Sequence, residues 1–227
     1  PNTKYISITT PHNPTGTVIS EEALLQLIQL TEKHKCYLLV DETYRDLTFG
    51  IQLPLAATLS DRVISVSSVS KAFGLPGIRI GWIITRNKKL QEIFLAAKEQ
   101  IFLCNSVVDE EIAHQFLKHK SQQMPAIQQK VAGNFEVLKS WMEHQPHLEW
   151  VAPEAGVICF PRMKKEIRIN TDAFYNTLYN SYKTLVGPGH WFDMDKRYMR
   201  IGYGWPTKEA LYKGLGNITQ ALAERIQ

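Results

Sequence analysis

Three near-continuous apolar runs, each halted by polar residues, constrain this chain most. YISITT at 5–10 stops at Pro11, CYLLVDE at 36–42 stops on two acids, and VISVSS at 63–68 runs directly into Val69-Ser70-Lys71. Runs of this kind predict strands buried on both faces rather than strands with one wet side. Between the first two, Ser20 followed by Glu22 and a leucine-rich stretch predicts an N-capped helix through about Lys35, with Leu24, Leu27 and Ile28 on its apolar face. IRIGWIIT at 78–85 reads as a fourth strand. A strand, helix, strand, strand order built from such runs argues for an α/β sheet, mostly parallel, with helices on both faces.

After Asn87 the pattern turns helical, through LQEIFLAAKEQIF and VVDEEIAHQFLKHK to the long amphipathic stretch 124–145. A linking helix of that length marks a domain boundary, so the chain divides into a first domain over 1–120 and a smaller α+β domain over 121–227. The second carries LEWVAPEAGVICF, a helix around Asp172–Lys183, the turn VGPGHWF, the strand YMRIGYG and a closing helix from Thr207.

Composition narrows the function classes. With 44% apolar and 21% charged residues in 227, the chain can bury a substantial core, and disorder is excluded. The formal charge is only +4, and Lys88-Lys89 and Lys164-Lys165 are too short to form a nucleic-acid stripe, so no nucleic-acid partner is expected. A mild positive field does suit an anionic ligand. Cys36, Cys104 and Cys159 lack metal or CxxC spacing, so no metal is expected and nothing calls for an oxidising compartment. No apolar run approaches the ~18 residues of a membrane span, and no signal peptide opens the chain, so a cytoplasmic protein away from membranes is expected. The first residue is Pro1 and a strand follows almost at once, so the chain reads as part of something longer.

Ligands of open α/β sheets collect at the carboxyl ends of strands. HNPTG, DETY, SVSK and the turn before Arg79 all fall at such ends. Each has a plain reading and a chemical one. Lys71, leaving a strand, either points to solvent or, partly desolvated, becomes an amine nucleophile. Asp41 either caps a turn or supplies the carboxylate that keeps a pyridine nitrogen protonated. Tyr44 is a core aromatic or a phenol for a ring hydroxyl, and Asn13 is an Asn-Pro turn or a ligand contact. Ser68, Ser70 and Arg79 are unremarkable singly. Together they make a phosphate cradle, because a guanidinium matches phosphate oxygens in two-point contact.

HNPTG, then DETY, then SVSKAFGLPGIRIGW, in that order, resembles the fold-type I enzymes that depend on pyridoxal 5'-phosphate (PLP), specifically the class I/II aminotransferase family. The resemblance implies the C-terminal part of the large PLP-binding domain followed by the small domain, and transfer of an amino group between an L-amino acid and a 2-oxo acid. By the same resemblance Lys71 holds the cofactor through a Schiff base and shuttles a proton. Asp41 pairs with the ring nitrogen, Tyr44 and Asn13 bond the ring oxygen, and Ser68, Ser70 and Arg79 bind phosphate. YMRIGYG resembles the segment whose arginine, here Arg200, grips the substrate carboxylate, and the Asn13-Pro14 bond resembles one often cis in the family. A homodimer is implied for the full-length protein. The segment that normally precedes HNPTG is not identifiable, so this stretch alone is expected to be weakly active or inactive. NSVVDEEIA departs from the family pattern at Asp109 and Glu110, and Asn105 and Ser106 are therefore not assigned to the site. A carbon–sulfur lyase, an amino-acid synthase, or the aminotransferase-like effector domain of a transcription regulator would carry the same residues.

Overall fold

A computed structural model describes residues 2–50 and 52–226. It divides into two compact units, Pro1–His12 with Thr17–Ile127, and Asn13–Gly16 with Gln128–Gln227. Among the described residues no helix is long and apolar enough to cross a membrane.

In the first unit, strands β1 (Tyr5–Thr9), β2 (Tyr37–Asp41), β3 (Val63–Ser68) and β4 (Gly81–Ile84) form one sheet in the order β1-β2-β3-β4. The first three are parallel and β4 is antiparallel to β3. Helix α1 (Glu21–Lys33) starts where Ser20 Oγ accepts the Ala23 N–H at 3.2 Å, with Glu21 and Glu22 at the positive end of its dipole. Its Leu24 and Ile28 pack with Leu38 and Val40, the two fully buried residues of β2, and with Val63 of β3. Each such side chain contributes about 1.5–3 kcal/mol by leaving water, and that burial holds helix to sheet. Helices α2 (Lys88–Ile101) and α3 (Val107–Lys118) follow, and α4 (Lys120–Glu143) runs out of this unit.

The fourth strand is shorter than the sequence pattern suggested. Pro76–Ile78 form a single 3-10 turn, Arg79 is left-handed at φ +53°, and pairing begins only at Gly81, opposite Ser68. Proline has no N–H to give a ladder and the turn must close tightly, so the apolar Ile78 and Ile80 do not extend the strand. The reversal is antiparallel because this connection holds no helix long enough for a parallel crossover.

The second unit contains β5 (Leu148–Glu149), β6 (Ile158–Cys159), β7 (Arg162–Met163), α5 (Thr171–Asn180), β8 (Gly187–Pro188), β9 (Met199–Gly202) and α6 (Lys208–Arg225). The strands β6-β9-β8 pair antiparallel, as do β5 and β7. The fully buried Phe174 and Leu178 of α5, and Leu215, Ile218 and Leu222 of α6, form the apolar faces of the two helices that meet here. Tyr203, also fully buried, bonds Gly156 O at 3.1 Å, and burial holds its hydroxyl well above the usual phenol range.

Gly16 closes the HNPTG loop. Its carbonyl accepts N–H groups from Glu154 at 2.9 Å and Ala155 at 3.1 Å, and its φ is +73°. A Cβ there would lie 2.4 Å from Pro153 Cβ and 2.9 Å from Ile158 O, so no side chain fits. Gly16→Ala should therefore lower unfolding free energy by about 2 kcal/mol or more. Gly214→Ala, in α6 with only Thr184 Cγ2 at 3.9 Å, should be neutral or stabilising; denaturant midpoints of the two variants check the contrast.

Candidate functional site

Parallel pairing sets one edge of the first unit's sheet. Thr9 stands opposite Asp41 and Asp41 opposite Val66, with Thr10 N donating to Asp41 O and Glu42 N to Val66 O, each at 2.9 Å. The ends of β1 and β2 are thus level, and Ser68 projects two residues, about 6.6 Å, further along the same edge. Because β4 is antiparallel, its entry from Arg79 lies at that edge too. Asp41, Ser68, Ser70, Lys71 and Arg79 are gathered there by backbone register.

Asp41, half-buried, is held in orientation. Its Oδ1 accepts both the Thr43 backbone N–H, at 2.9 Å, and the Thr43 hydroxyl. This is an aspartate turn in which a hydroxyl two residues on supplies a second donor. Thr43 was not singled out from sequence, although an aspartate at a strand end followed at the second position by threonine is a readable signal. Tyr44 is buried, and its carbonyl accepts from Leu47 N as the chain turns through Arg45–Leu47.

Beyond β3 the backbone folds into a compact turn. Ser70 N donates to Ser68 Oγ at 3.2 Å, Leu75 N to Val69 O at 3.0 Å, and Gly74 N to Lys71 O at 3.1 Å. Arg79 Nη1 reaches back to Pro76 O at 2.8 Å and Ser70 Oγ at 3.4 Å, so guanidinium and hydroxyl sit together as donors. Arg79 and Lys71 are exposed. Ala72 and Phe73, which follow Lys71, are buried, but the partial desolvation considered for Lys71 itself is not supplied by the described residues.

The second unit holds the other two assigned residues together. Arg200, in β9, donates from Nη1 to Asn13 Oδ1 at 3.2 Å, and its Cζ lies 4.7 Å from the Phe192 ring centroid. Phe192 is itself fixed edge-on by Phe160 at 5.6 Å. A charged group stacked and hydrogen-bonded in this way presents a set orientation. The Asn13–Pro14 peptide is cis, as is Thr10–Pro11. Phe192 went unassigned in the sequence because nothing in VGPGHWF says which aromatic meets the arginine.

Asn105 and Ser106 are used locally: Asn105 Nδ2 bonds Glu110 Oε1 at 2.8 Å, and Ser106 caps α3 through Asp109 N at 3.4 Å. Burial pushes the Cys159 thiol pKa up, which favours the protonated form.

The donor chemistry fits PLP. Arg79 with two serine hydroxyls suits a phosphate, and an oriented carboxylate at the same sheet edge suits a protonated pyridine nitrogen. Thr43→Val should cost about 1 kcal/mol of stability by removing one hydrogen bond to a charged acceptor, and Thr43→Ser should restore it; thermal unfolding of the three proteins tests this.

The family model for aminotransferase class I and II matches residues 1–216. A capreomycidine synthase from Streptomyces vinaceus is 29% identical over 97% of this chain and 56% of its own length. The HTH-type transcriptional regulator NorG of Staphylococcus aureus is 26% identical over 89% of this chain and 47% of its own. Among solved structures, a PLP-dependent aminotransferase from Streptococcus suis superposes with a TM-score of 0.90 at 29% identity, covering 97% of this chain and 57% of that one. The chain spans about half the length of the curated relatives it matches. Its mixed sheet and small second unit are those of a fold-type I transferase, and with the family model matched over nearly its whole extent, the chain belongs to the class I and II aminotransferase family.

Proposed function

We propose that the protein moves an amino group between an L-amino acid and a 2-oxo acid, with PLP as cofactor and a homodimer as the working unit. One observation supports the reading: strand pairing puts Asp41, Ser68 and Gly81 towards one end of the sheet, and Ser70, Lys71 and Arg79 lie in the connection between the last two. Arg79, Ser68 and Ser70 hold the phosphate. Asp41 keeps a proton on the ring nitrogen, with Thr43 fixing the carboxylate that does so. Bound PLP supplies an aldehyde carbon and a ring that draws electron density from the substrate's α-carbon. Lys71 Nζ removes the proton from that carbon and holds it for return at the neighbouring position, as general base and then acid. Arg200 takes the substrate carboxylate in two-point contact. Because Asn13 Oδ1 already accepts from Arg200, the Asn13 amide keeps N–H groups to donate to the ring oxygen, a role shared with the Tyr44 phenol.

The names of two relatives favour a second reading. A capreomycidine synthase and an HTH-type transcriptional regulator both match this stretch, so a synthase or a regulator's effector domain is the second reading. Product balance separates them. With an L-amino acid and a second 2-oxo acid, a transaminase forms one new oxo acid per new amino acid and releases no ammonia. The intact protein should show that one-to-one balance, and Lys71→Ala should lower the rate by about 10³-fold or more. Ammonia release, or turnover indifferent to the second oxo acid, would contradict the proposal.

A further inference from the structure

Lys120 opens helix α4, and its position is unexpected on local grounds. A cation in the first turn of a helix faces the positive end of the dipole, and no acid lies in that turn to offset it. Its partners come from elsewhere in the first unit. Lys120 Nζ bonds Asp46 Oδ1 at 2.5 Å, and the same nitrogen stands 5.3 Å from the Phe73 ring centroid.

These two partners belong to the two segments that matter. Asp46 lies in the 3-10 turn Arg45–Leu47 that follows Tyr44 at the end of β2. Phe73 is the anchor of the turn carrying Lys71: it is 3% exposed, edge-on to Phe116 at 5.7 Å and tilted against Trp82 at 6.2 Å. The β2–β3 ladder ends with Asp41 opposite Val66 and the bond from Glu42 N to Val66 O. One ammonium contacts both segments, through charge on one side and a ring face on the other. Asp46 keeps 19% side-chain exposure and Lys120 42%, so the pair is partly covered and still open to some screening.

We propose that Lys120 is a positioning residue, clamping the segment after Asp41 and Tyr44 to the turn that presents Lys71. The inference rests on the reading of Lys71 and Asp41 as cofactor residues, but the clamp can be tested apart from it. Lys120→Met keeps the aliphatic stem and removes the charge. In the intact protein without cofactor, amide hydrogen exchange should quicken in both 44–47 and 71–75 in this variant, and Lys120→Arg should restore slow exchange, since a guanidinium can bond Asp46 and lie over Phe73. Asp46→Asn should loosen the same two segments, and adding it to Lys120→Met should do little more. With cofactor, the PLP dissociation constant of Lys120→Met should rise about fivefold. Exchange in 71–75 unchanged by Lys120→Met, or additive effects of the two substitutions, would overturn the clamp. Should wild type show no Lys71-dependent PLP binding while the exchange result holds, the cofactor reading fails and the clamp survives as a structural link. Where wild type does bind PLP through Lys71, a dissociation constant unchanged by Lys120→Met would overturn the positioning role.

Discussion

The site depends on the register of three parallel strands. Hydrogen bonds from Thr10 to Asp41 and from Glu42 to Val66 make the ends of β1, β2 and β3 face one way at fixed offsets. A slip of one residue would turn Asp41 to the opposite face and expose Leu38 and Val40, which are fully buried in contact with α1. Core packing and site geometry are therefore enforced by the same constraint. The burial that stabilises the sheet also aims the carboxylate.

On that frame, each functional group is steadied by a neighbour of ordinary chemistry. Thr43 orients Asp41, the fold-back of Arg79 onto Ser70 groups a guanidinium with a hydroxyl, and Phe192 with Asn13 fixes Arg200. None of these supports is buried deeply enough to carry the fold. Their contribution is to narrow the orientations of charged groups before a ligand arrives, which lowers the ordering cost of binding.

Much of this was legible in the sequence, for a physical reason. CYLLVD and the start of VISVSS are buried as their apolar runs predict, and the motif order HNPTG, DETY, SVSK follows one end of the sheet; YISITT instead forms the outer strand, with Tyr5 exposed among the described residues. Helix starts were readable because Ser20 and Thr207 cap by short-range chemistry, each accepting an N–H three residues on. Other features were not readable. Ile78 and Ile80 look like strand residues, yet Pro76 and the left-handed Arg79 override their propensity. The grouping of Asn13–Gly16 with the second unit depends on the close approach of Gly16 to Pro153, a contact separated by well over a hundred residues. The ion pair of Lys120 with Asp46 joins residues 74 positions apart and has no local pattern at all.

In the proposed function the amine of Lys71 is the group that bonds the cofactor. The most direct measurement is to reduce the PLP-loaded intact protein with borohydride, digest it and locate the modified lysine by mass spectrometry. A phosphopyridoxyl group is expected on the peptide containing Lys71, and at no other lysine in stoichiometric amount. Modification fixed on a different lysine, or none in a protein that nonetheless retains PLP, would contradict it.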